Sequence, residues 1–326
     1  MPTILSLALL AFLVSLSSQV VEAQQTKEVP RIGILRAGAP PPDATLKSFL
    51  QAMRELGYVE GKNIFVEIRY AEGNQKRSAE LAKELVKLNV DALFTSGTRA
   101  ILNLKEATKA IPIVFVSTSD PVGTGMVESL ARPGGNLTGM SLLASDLWPK
   151  RLELLKEMLP KLARAAMFWN KSNAGMGLEA KATLESAGTL GVVLQDRGMK
   201  DTSELETVLG TITKDRPDGL LAMMDLSLRP HQKRILEFLL TDRIPAIFED
   251  KNWVEAGGLV SYGPSSVDVI RRAAIKMDKI LKGTKPADLP VEQPMKFEFV
   301  INLKTAKQIG LEIPQSVLFR ADKVIK

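Results

Sequence analysis

Small polar residues follow three apolar runs in the first half of the chain, and their types suit the binding of an anion. The runs cover 31–35, 90–94 and 113–116. The residues that follow them are Arg36, then Ser96, Gly97 and Thr98, then Thr118, Ser119 and Asp120. Loops that follow strands and open into helices present unpaired backbone N–H groups and a positive dipole end, which favour a carboxylate or phosphate. The alternative is a local role, with Ser96 as a helix N-cap and Thr118 as a turn residue.

The second half places an amide and two carboxylates at comparable positions. Asn170, Asp225 and Glu249 each come directly after an apolar run. A carboxylate in a site that excludes water pairs strongly with an ammonium group. The alternative for Asp225 and Glu249 is a helix cap or a surface charge. Trp169, next to Asn170, either stacks on an aromatic or sugar ligand or packs in the core.

The residue inventory excludes several kinds of site. The chain has one histidine, His231, and no cysteine, which excludes the usual zinc sites and the Ser–His and Cys–His nucleophile systems. Neither GxxxxGK[ST] nor a GxGxxG after the first strand is present, so nucleotide binding is not expected. Catalysis by carboxylates alone stays open, although no second acid is paired with Asp225 as a glycosidase needs. We expect no cofactor and no metal.

Hydrophobic periodicity predicts strands that alternate with helices, twice over. The first series runs from 31 to 116, and a second begins with a helix at 146–159 and a strand at 165–169. Such alternation is typical of parallel sheets with right-handed crossovers, whose strands all end at one edge. Residues 117–121 are therefore expected to face a ligand, whereas the glycine-rich 132–139 is expected to turn the chain toward the other half.

The fold predicted is α/β, with two doubly wound parallel-sheet lobes joined by three hinge crossings. A helix at 265–281, a linker at 282–290 and a strand–helix tail follow the second series. The crossings are expected near 141–146, 262–266 and 284–293. Lobe 1 would comprise 31–143 and 264–286, and lobe 2 would comprise 144–263 and 287–326.

The N-terminus differs from the rest of the chain. Residues 4–16 form an apolar run of the length of a signal-peptide core, although no Lys or Arg precedes it. Val21-Glu22-Ala23 has the small–x–small form of a cleavage site, which predicts a signal peptide at 1–23 and a lead-in at 24–30. Without cysteine there is no lipid-modified anchor, so we expect a soluble protein exported to the periplasm. The alternative is a buried N-terminal strand or helix.

Charge and composition indicate a solvated surface. The 326 residues are 45% hydrophobic and 25% charged, and the formal net charge of +6 is spread along the chain. A nucleic-acid-binding protein would cluster its basic residues on one face. We therefore expect no nucleic-acid partner, and a monomer.

Five separated motifs resemble those of ABC-transporter substrate-binding proteins, in the group that includes tryptophan- and tyrosine-binding members. They are RIGIL (31–35), LGYVEGKN (56–63), DPVG (120–123), RPGGNLTG (132–139) and EFVINLKTA (298–306). The resemblance covers nearly all of 31–326. It implies a type I periplasmic-binding-protein fold that closes on a small ligand and delivers it to membrane permease subunits.

The resemblance also implies a division of roles within the site. In similar amino-acid binders, hydroxyls of one lobe hold the ligand carboxylate and an acidic group of the other lobe holds the ammonium. The function predicted is an extracytoplasmic solute-binding protein of an ABC importer, with an amino acid or related compound as ligand and without catalytic activity. The alternative is an enzyme or a ligand-sensing module on the same scaffold.

Overall fold

The computed structural model describes residues 29–38, 44–117, 120–142 and 144–326. The predicted signal peptide and the lead-in up to residue 28 lie outside this part of the chain. The strands are β1 Arg31–Arg36, β2 Phe65–Tyr70, β3 Ala92–Ser96, β4 Ile113–Ser117, β5 Leu137–Ser141, β6 Arg164–Asn170, β7 Val193–Met199, β8 Gly219–Ala222, β9 Ala246–Phe248, β10 Val260–Pro264, β11 Phe297–Asn302 and β12 Lys323–Ile325. The α-helices are α1 Ala44–Glu55, α2 Gln75–Lys87, α3 Thr98–Ala107, α4 Ala144–Met158, α5 Ala174–Ala187, α6 Leu205–Asp215, α7 Gln232–Thr241, α8 Lys251–Glu255, α9 Ser266–Leu281, α10 Leu303–Ile309 and α11 Gln315–Leu318.

The first lobe is built on a five-stranded sheet with the order β2-β1-β3-β4-β5, parallel throughout. Its central strands are apolar runs that are buried on both faces, as parallel sheets require. One face packs against α1 and α9, where the rings of Phe49 and Phe94 stack 3.8 Å apart. The other face packs against α2 and α3. Helix α9 thus returns to the first lobe.

The second lobe is built on a seven-stranded sheet with the order β12-β11-β10-β9-β8-β6-β7. Strands β10 and β11 pair antiparallel, and the other described pairs are parallel. Helices α4, α5, α10 and α11 cover one face, and α6, α7 and α8 cover the other. The predicted pair of doubly wound lobes is confirmed. Within the described residues, no helix is long and apolar enough to cross a membrane.

Three crossings connect the lobes, after β5, after β10 and before β11. The expected boundary after residue 286 is corrected by the third of them. Leu289 and Val291 are buried in the first lobe, and Glu292 exchanges backbone hydrogen bonds of 3.0 and 2.9 Å with Gly139 and Ser141 of β5. The chain therefore leaves the first lobe after Glu292, because these apolar side chains lie on the first core.

Strand β5 was not expected, since 132–139 reads as a glycine-rich turn. Gly134 and Gly135 do form that turn, with φ of +68° and +61°. Gly139, in contrast, lies within the sheet, where a Cβ atom would approach the carbonyl oxygen of Phe115 to 2.0 Å. The absence of a side chain allows β5 to lie against β4, so this glycine serves close packing rather than a turn.

Candidate ligand-binding site

A cavity of about 370 Å³ lies between the two lobes, at the carboxyl ends of both parallel sheets. Its size falls in the range of small-molecule sites, and its place is the one expected for open α/β sheets. Six of the predicted residues line it: Ser96, Gly97, Thr98, Asn170, Asp225 and Glu249. Residues of both lobes therefore meet around a single space.

The first-lobe wall is the junction of β3 and α3. Gly97 is the N-cap of α3 with φ of +89°, and it offers no side chain to cap the first-turn N–H groups. The alternative role of Ser96 as the N-cap is therefore excluded. The Ser96 hydroxyl instead accepts a 2.6 Å hydrogen bond from Arg36 Nη1. Arg36 is buried and lies behind the wall, so it positions and polarises Ser96 rather than lining the cavity.

The neighbouring loop after β4 contributes differently from what was predicted. Thr118 and Ser119 lie outside the described residues. Asp120 is not among the described residues that line the cavity. Its carboxylate accepts a 2.9 Å hydrogen bond from Val122 N, and its carbonyl accepts one of 3.0 Å from Thr124 N. Asp120 therefore organises the turn that follows β4, because its acceptors are directed to its own loop.

The second-lobe wall is centred on Asp225. Its Oδ2 accepts hydrogen bonds from Asn170 Nδ2 at 3.0 Å and Asn173 Nδ2 at 3.4 Å. Its Oδ1 accepts from the backbone N–H of Ser227 at 3.0 Å and from the hydroxyl of the same residue. Asp225 is thus both a wall residue and the N-cap of a short 3₁₀ helix, Leu226–His231. With four donors the acceptor sites of the carboxylate are filled, and the Asn173 contact is the longest.

Glu249 lies beside Asp225 with fewer partners. It accepts a 3.3 Å hydrogen bond from Met224 N. Burial raises the pKa of Glu249 to about 8, the negative charge of Asp250 adds to this, and Arg229 opposes it. The Glu249 carboxyl is therefore largely protonated at neutral pH when no cation is bound.

Among the cavity residues that sequence reasoning missed are Trp148 and Arg151 on α4 and Glu179 on α5. Trp148 Nε1 donates to Glu179 Oε2 at 3.0 Å. The Arg151 guanidinium lies 4.2 Å from the centre of the Trp148 ring, and its Nε donates to the Tyr262 carbonyl at 2.7 Å. A signal was present, because Arg151 lies three residues after Trp148 and therefore on the same side of the helix.

Burial shifts the pKa values of both charged members of this group. It raises the pKa of Glu179 to about 8, against the opposing effects of the Arg151 charge and of the Trp148 hydrogen bond. It lowers the pKa of Arg151 to about 10, against the nearby carboxylates of Glu249 and Glu179. The guanidinium therefore stays charged at neutral pH, whereas the Glu179 carboxyl is largely neutral.

Apolar side chains complete the cavity, while two of the three tryptophans lie outside it. The apolar part comprises Leu102, Val116, Leu142, Met176, Val267 and Ile270. Trp169 packs partly buried against the second-lobe core and donates to Asp196 Oδ1 at 2.8 Å. Trp253 is fully buried and stacks on Phe248 with centroids 5.3 Å apart. Trp148 is therefore the tryptophan that lines the cavity.

Residues 37–325 match the family described as ABC transporter substrate binding protein. The chain belongs to this family. A tyrosine-binding protein of Clostridioides difficile (strain R20291) is 26% identical over 289 residues, which are 88% of this chain and 83% of that protein. A Streptococcus pneumoniae ABC domain, whose crystal structure was determined in complex with L-Trp, is 28% identical in sequence to this chain and superimposes on it with a TM-score of 0.82. The match covers 90% of this chain and 100% of the S. pneumoniae domain.

A ligand-free, open substrate-binding protein of Clostridium difficile is 25% identical with a TM-score of 0.66, and covers 91% of this chain and 99% of that one. Solute-binding proteins of lower identity share the same architecture. The fold is that of the type I periplasmic binding proteins, as predicted.

Proposed function

We propose that this protein captures an amino acid between its lobes and delivers it to the permease of an ABC importer. The observation that carries the proposal is the opposition of two walls across one cavity. The first lobe offers a hydroxyl and a helix N-terminus, and the second offers carboxylates. This arrangement matches the opposite charges of an α-amino acid. The tyrosine and tryptophan named for two relatives support the same ligand class.

The first lobe would hold the ligand carboxylate. The ten residues of α3 direct a positive dipole end toward the cavity, and Gly97 lets a ligand approach the backbone. The buried Arg36 adds a positive charge behind Ser96. Both features favour an anion over a neutral group at this wall.

The second lobe would hold the ligand ammonium at Asp225. Because four donors already surround this carboxylate, an ammonium group must replace one of them, and the 3.4 Å contact from Asn173 is the weakest. Asn170 would remain in place and keep the carboxylate oriented. A bound cation would also favour ionisation of Glu249, which lines the same cavity.

The apolar wall would take the ligand side chain. Leu102 and Val116 of the first lobe face a cavity that Met176 and Trp148 of the second lobe also line. An aromatic or branched side chain buries more apolar area there than a small one and gains roughly 25 cal/mol per Å². The proposed ligand class is therefore an amino acid with a large side chain.

Hinge closure would couple binding to transport. Arg99 Nη2 of α3 donates to the Ser172 carbonyl of the second lobe at 3.5 Å, which joins the lobes at the mouth of the cavity. At similar identity, the chain superimposes better on the L-Trp complex than on the ligand-free open structure. Both observations support a closed arrangement in which a ligand contacts the two lobes at once.

The proposal includes export and the absence of turnover. The apolar segment at 4–16 and the small–x–small site at 21–23 support cleavage and release outside the cytoplasm. With permease subunits as partners, the ligand would be handed over unchanged rather than converted.

Calorimetric titration with the twenty amino acids tests this function. We expect binding of at least one large amino acid. Ser96→Ala and Asp225→Asn should each weaken it about 10- to 150-fold, since each removes a hydrogen bond to a charged group. Ser186→Ala on α5 and the exposed Asp288→Asn are the matched controls and should bind like the unaltered protein. An amino acid bound equally by all five proteins, or no amino acid bound at all, would contradict the proposal.

A further inference from the structure

Two polar atoms in the floor of the cavity have no hydrogen-bond partner within the described chain. They are Nη1 of Arg151 and Oε1 of Glu179. The two residues are only 1% and 2% exposed, yet both line the cavity. A buried polar atom without a partner destabilises a protein by about 1–3 kcal/mol, so such atoms are rare without a functional reason.

The side chains that carry these atoms are held rigidly. Arg151 is fixed by the hydrogen bond from its Nε to the Tyr262 carbonyl and by its stacking on Trp148. Glu179 is fixed through Oε2, which accepts from Trp148 Nε1. Trp148 therefore contacts both partners and spaces them. These contacts use Nε of Arg151 and Oε2 of Glu179, and they leave Nη1 and Oε1 without a partner.

The two side chains do not form an ion pair with each other. No N···O distance of 4.0 Å or less joins them, although oppositely charged side chains elsewhere in the described chain approach within 4.0 Å of each other. A structural ion pair would close this separation, because burial strengthens attraction between opposite charges. The separation leaves a donor and an acceptor unpaired on two residues that line the ligand cavity.

We propose that Arg151 and Glu179 form a polar subsite for the far end of the ligand side chain, and that this subsite takes an uncharged hydroxyl or carboxamide. The inference deepens the proposed function and rests on it. A hydroxyl oxygen accepts from Arg151 Nη1 and has a proton for Glu179 Oε1, and a carboxamide offers its oxygen and its N–H₂ in the same way.

The charges of the subsite favour an uncharged group. A cationic side chain would meet the buried guanidinium. An anionic side chain would be attracted by that guanidinium but repelled by any ionised carboxyl group in the same cavity, so it would require Glu179 and Glu249 to stay protonated. The raised pKa of Glu179 supports the selection of neutral groups, because the neutral carboxyl both donates and accepts. Apolar side chains, in turn, would leave both polar atoms unpartnered.

Matched pairs of ligands test the subsite by calorimetry. Tyrosine differs from phenylalanine by one hydroxyl group. Glutamine carries a carboxamide that methionine lacks, and the two side chains have nearly the same length. In at least one pair we expect the polar member to bind about tenfold tighter or more, since a site built for a hydrogen bond rejects the analogue that lacks it. Arg151→Met should reduce the ratio of the two affinities, polar member to apolar member, to about twofold or less, because the donor to the polar group is lost.

Glu179→Gln provides a second variant that keeps an acceptor for Trp148 and serves if Arg151→Met fails to fold. This variant should change the ratio of the affinities for the polar and apolar ligands of a pair, whereas Glu185→Gln on the exposed face of α5 should leave that ratio unchanged. Equal binding of both members in each pair, or a ratio unaltered in both variants, would overturn the subsite while leaving amino-acid binding intact. Binding of none of the four ligands nor of any other amino acid would instead contradict the proposed function itself.

Discussion

Replacing Glu179 by Gln should remove a pH-dependent loss of stability from the second lobe. Burial raises the pKa of this carboxyl from 4.5 to about 8, so the folded protein keeps a proton that the unfolded chain releases. Between pH 4.5 and 8 the folded state therefore binds more protons, and stability must fall as the pH rises. Above pH 8 the carboxyl is ionised in both states and its contribution becomes constant.

The magnitude follows from the width of this pH range. One group contributes about 1.4 kcal/mol per pH unit over the interval, which is an upper limit of about 4 kcal/mol between pH 5 and pH 8. Relaxation of the protein around the buried charge reduces this effect, because the effective dielectric constant of protein interiors is high. We therefore expect the free energy of unfolding to change by about 2–4 kcal/mol. The Gln variant should match the unaltered protein near pH 5 and exceed its stability by about that amount near pH 9.

Urea unfolding of the ligand-free protein, followed by tryptophan fluorescence, provides the measurement. All three tryptophans, Trp148, Trp169 and Trp253, belong to the second lobe, so the signal reports the lobe that contains Glu179. The control is Glu185→Gln on the same helix, where the carboxylate is exposed and 4.0 Å from Lys181. Parallel pH profiles for Glu179→Gln and the unaltered protein would refute the reasoning. Glu249 also has a raised pKa, but it is present in both proteins, so its own contribution largely cancels in the difference.

Two further pairs of substitutions, each a test variant with its control, examine the packing of the first lobe and the assignment of the cavity wall. Gly139→Ala should destabilise the protein by about 2–3 kcal/mol, because the new Cβ would overlap a backbone carbonyl of β4. Gly210→Ala, in a helix with open space around it, should stabilise by about 0.5–1 kcal/mol. Thermal unfolding measures both, and equal effects would contradict the role of β5. Trp148→Phe should weaken ligand binding about tenfold or more by loss of the Nε1 hydrogen bond. Trp169→Phe should leave it within about twofold, since Trp169 is outside the cavity, and calorimetry that ranks the two in reverse would refute the assignment.

The sequence predicted the two-lobe fold because each strand and helix carries its own periodicity. The parallel order follows from alternation, and alternation is visible along the chain. Strand β5 was not predicted because its glycine at 139 serves the approach of another backbone, which only the folded sheet reveals. The burial of Leu289 and Val291 in the first lobe was also not predicted. The sequence of a proline-containing linker does not show which of the two cores its apolar side chains contact.

The cavity was predictable where its residues follow strands, and not where they lie inside helices. Ser96 and Asp225 were found because the carboxyl ends of parallel strands share an edge. Arg151 and Glu179 come from adjacent helices, α4 and α5, and their meeting depends on how those helices pack. Asp120 was assigned to the site by position alone, although its acceptors are used by its own turn.

The cavity is proposed to hold an amino acid between the lobes. Mass spectrometry of the small molecule released on denaturing the full chain, purified from its own cells without added ligand, tests this most directly. We expect one or a few α-amino acids with large side chains, present at up to one molecule per chain and reduced in protein carrying Asp225→Asn. A sugar, a nucleoside or an organic acid without an amino group, retained equally by that variant, would contradict it.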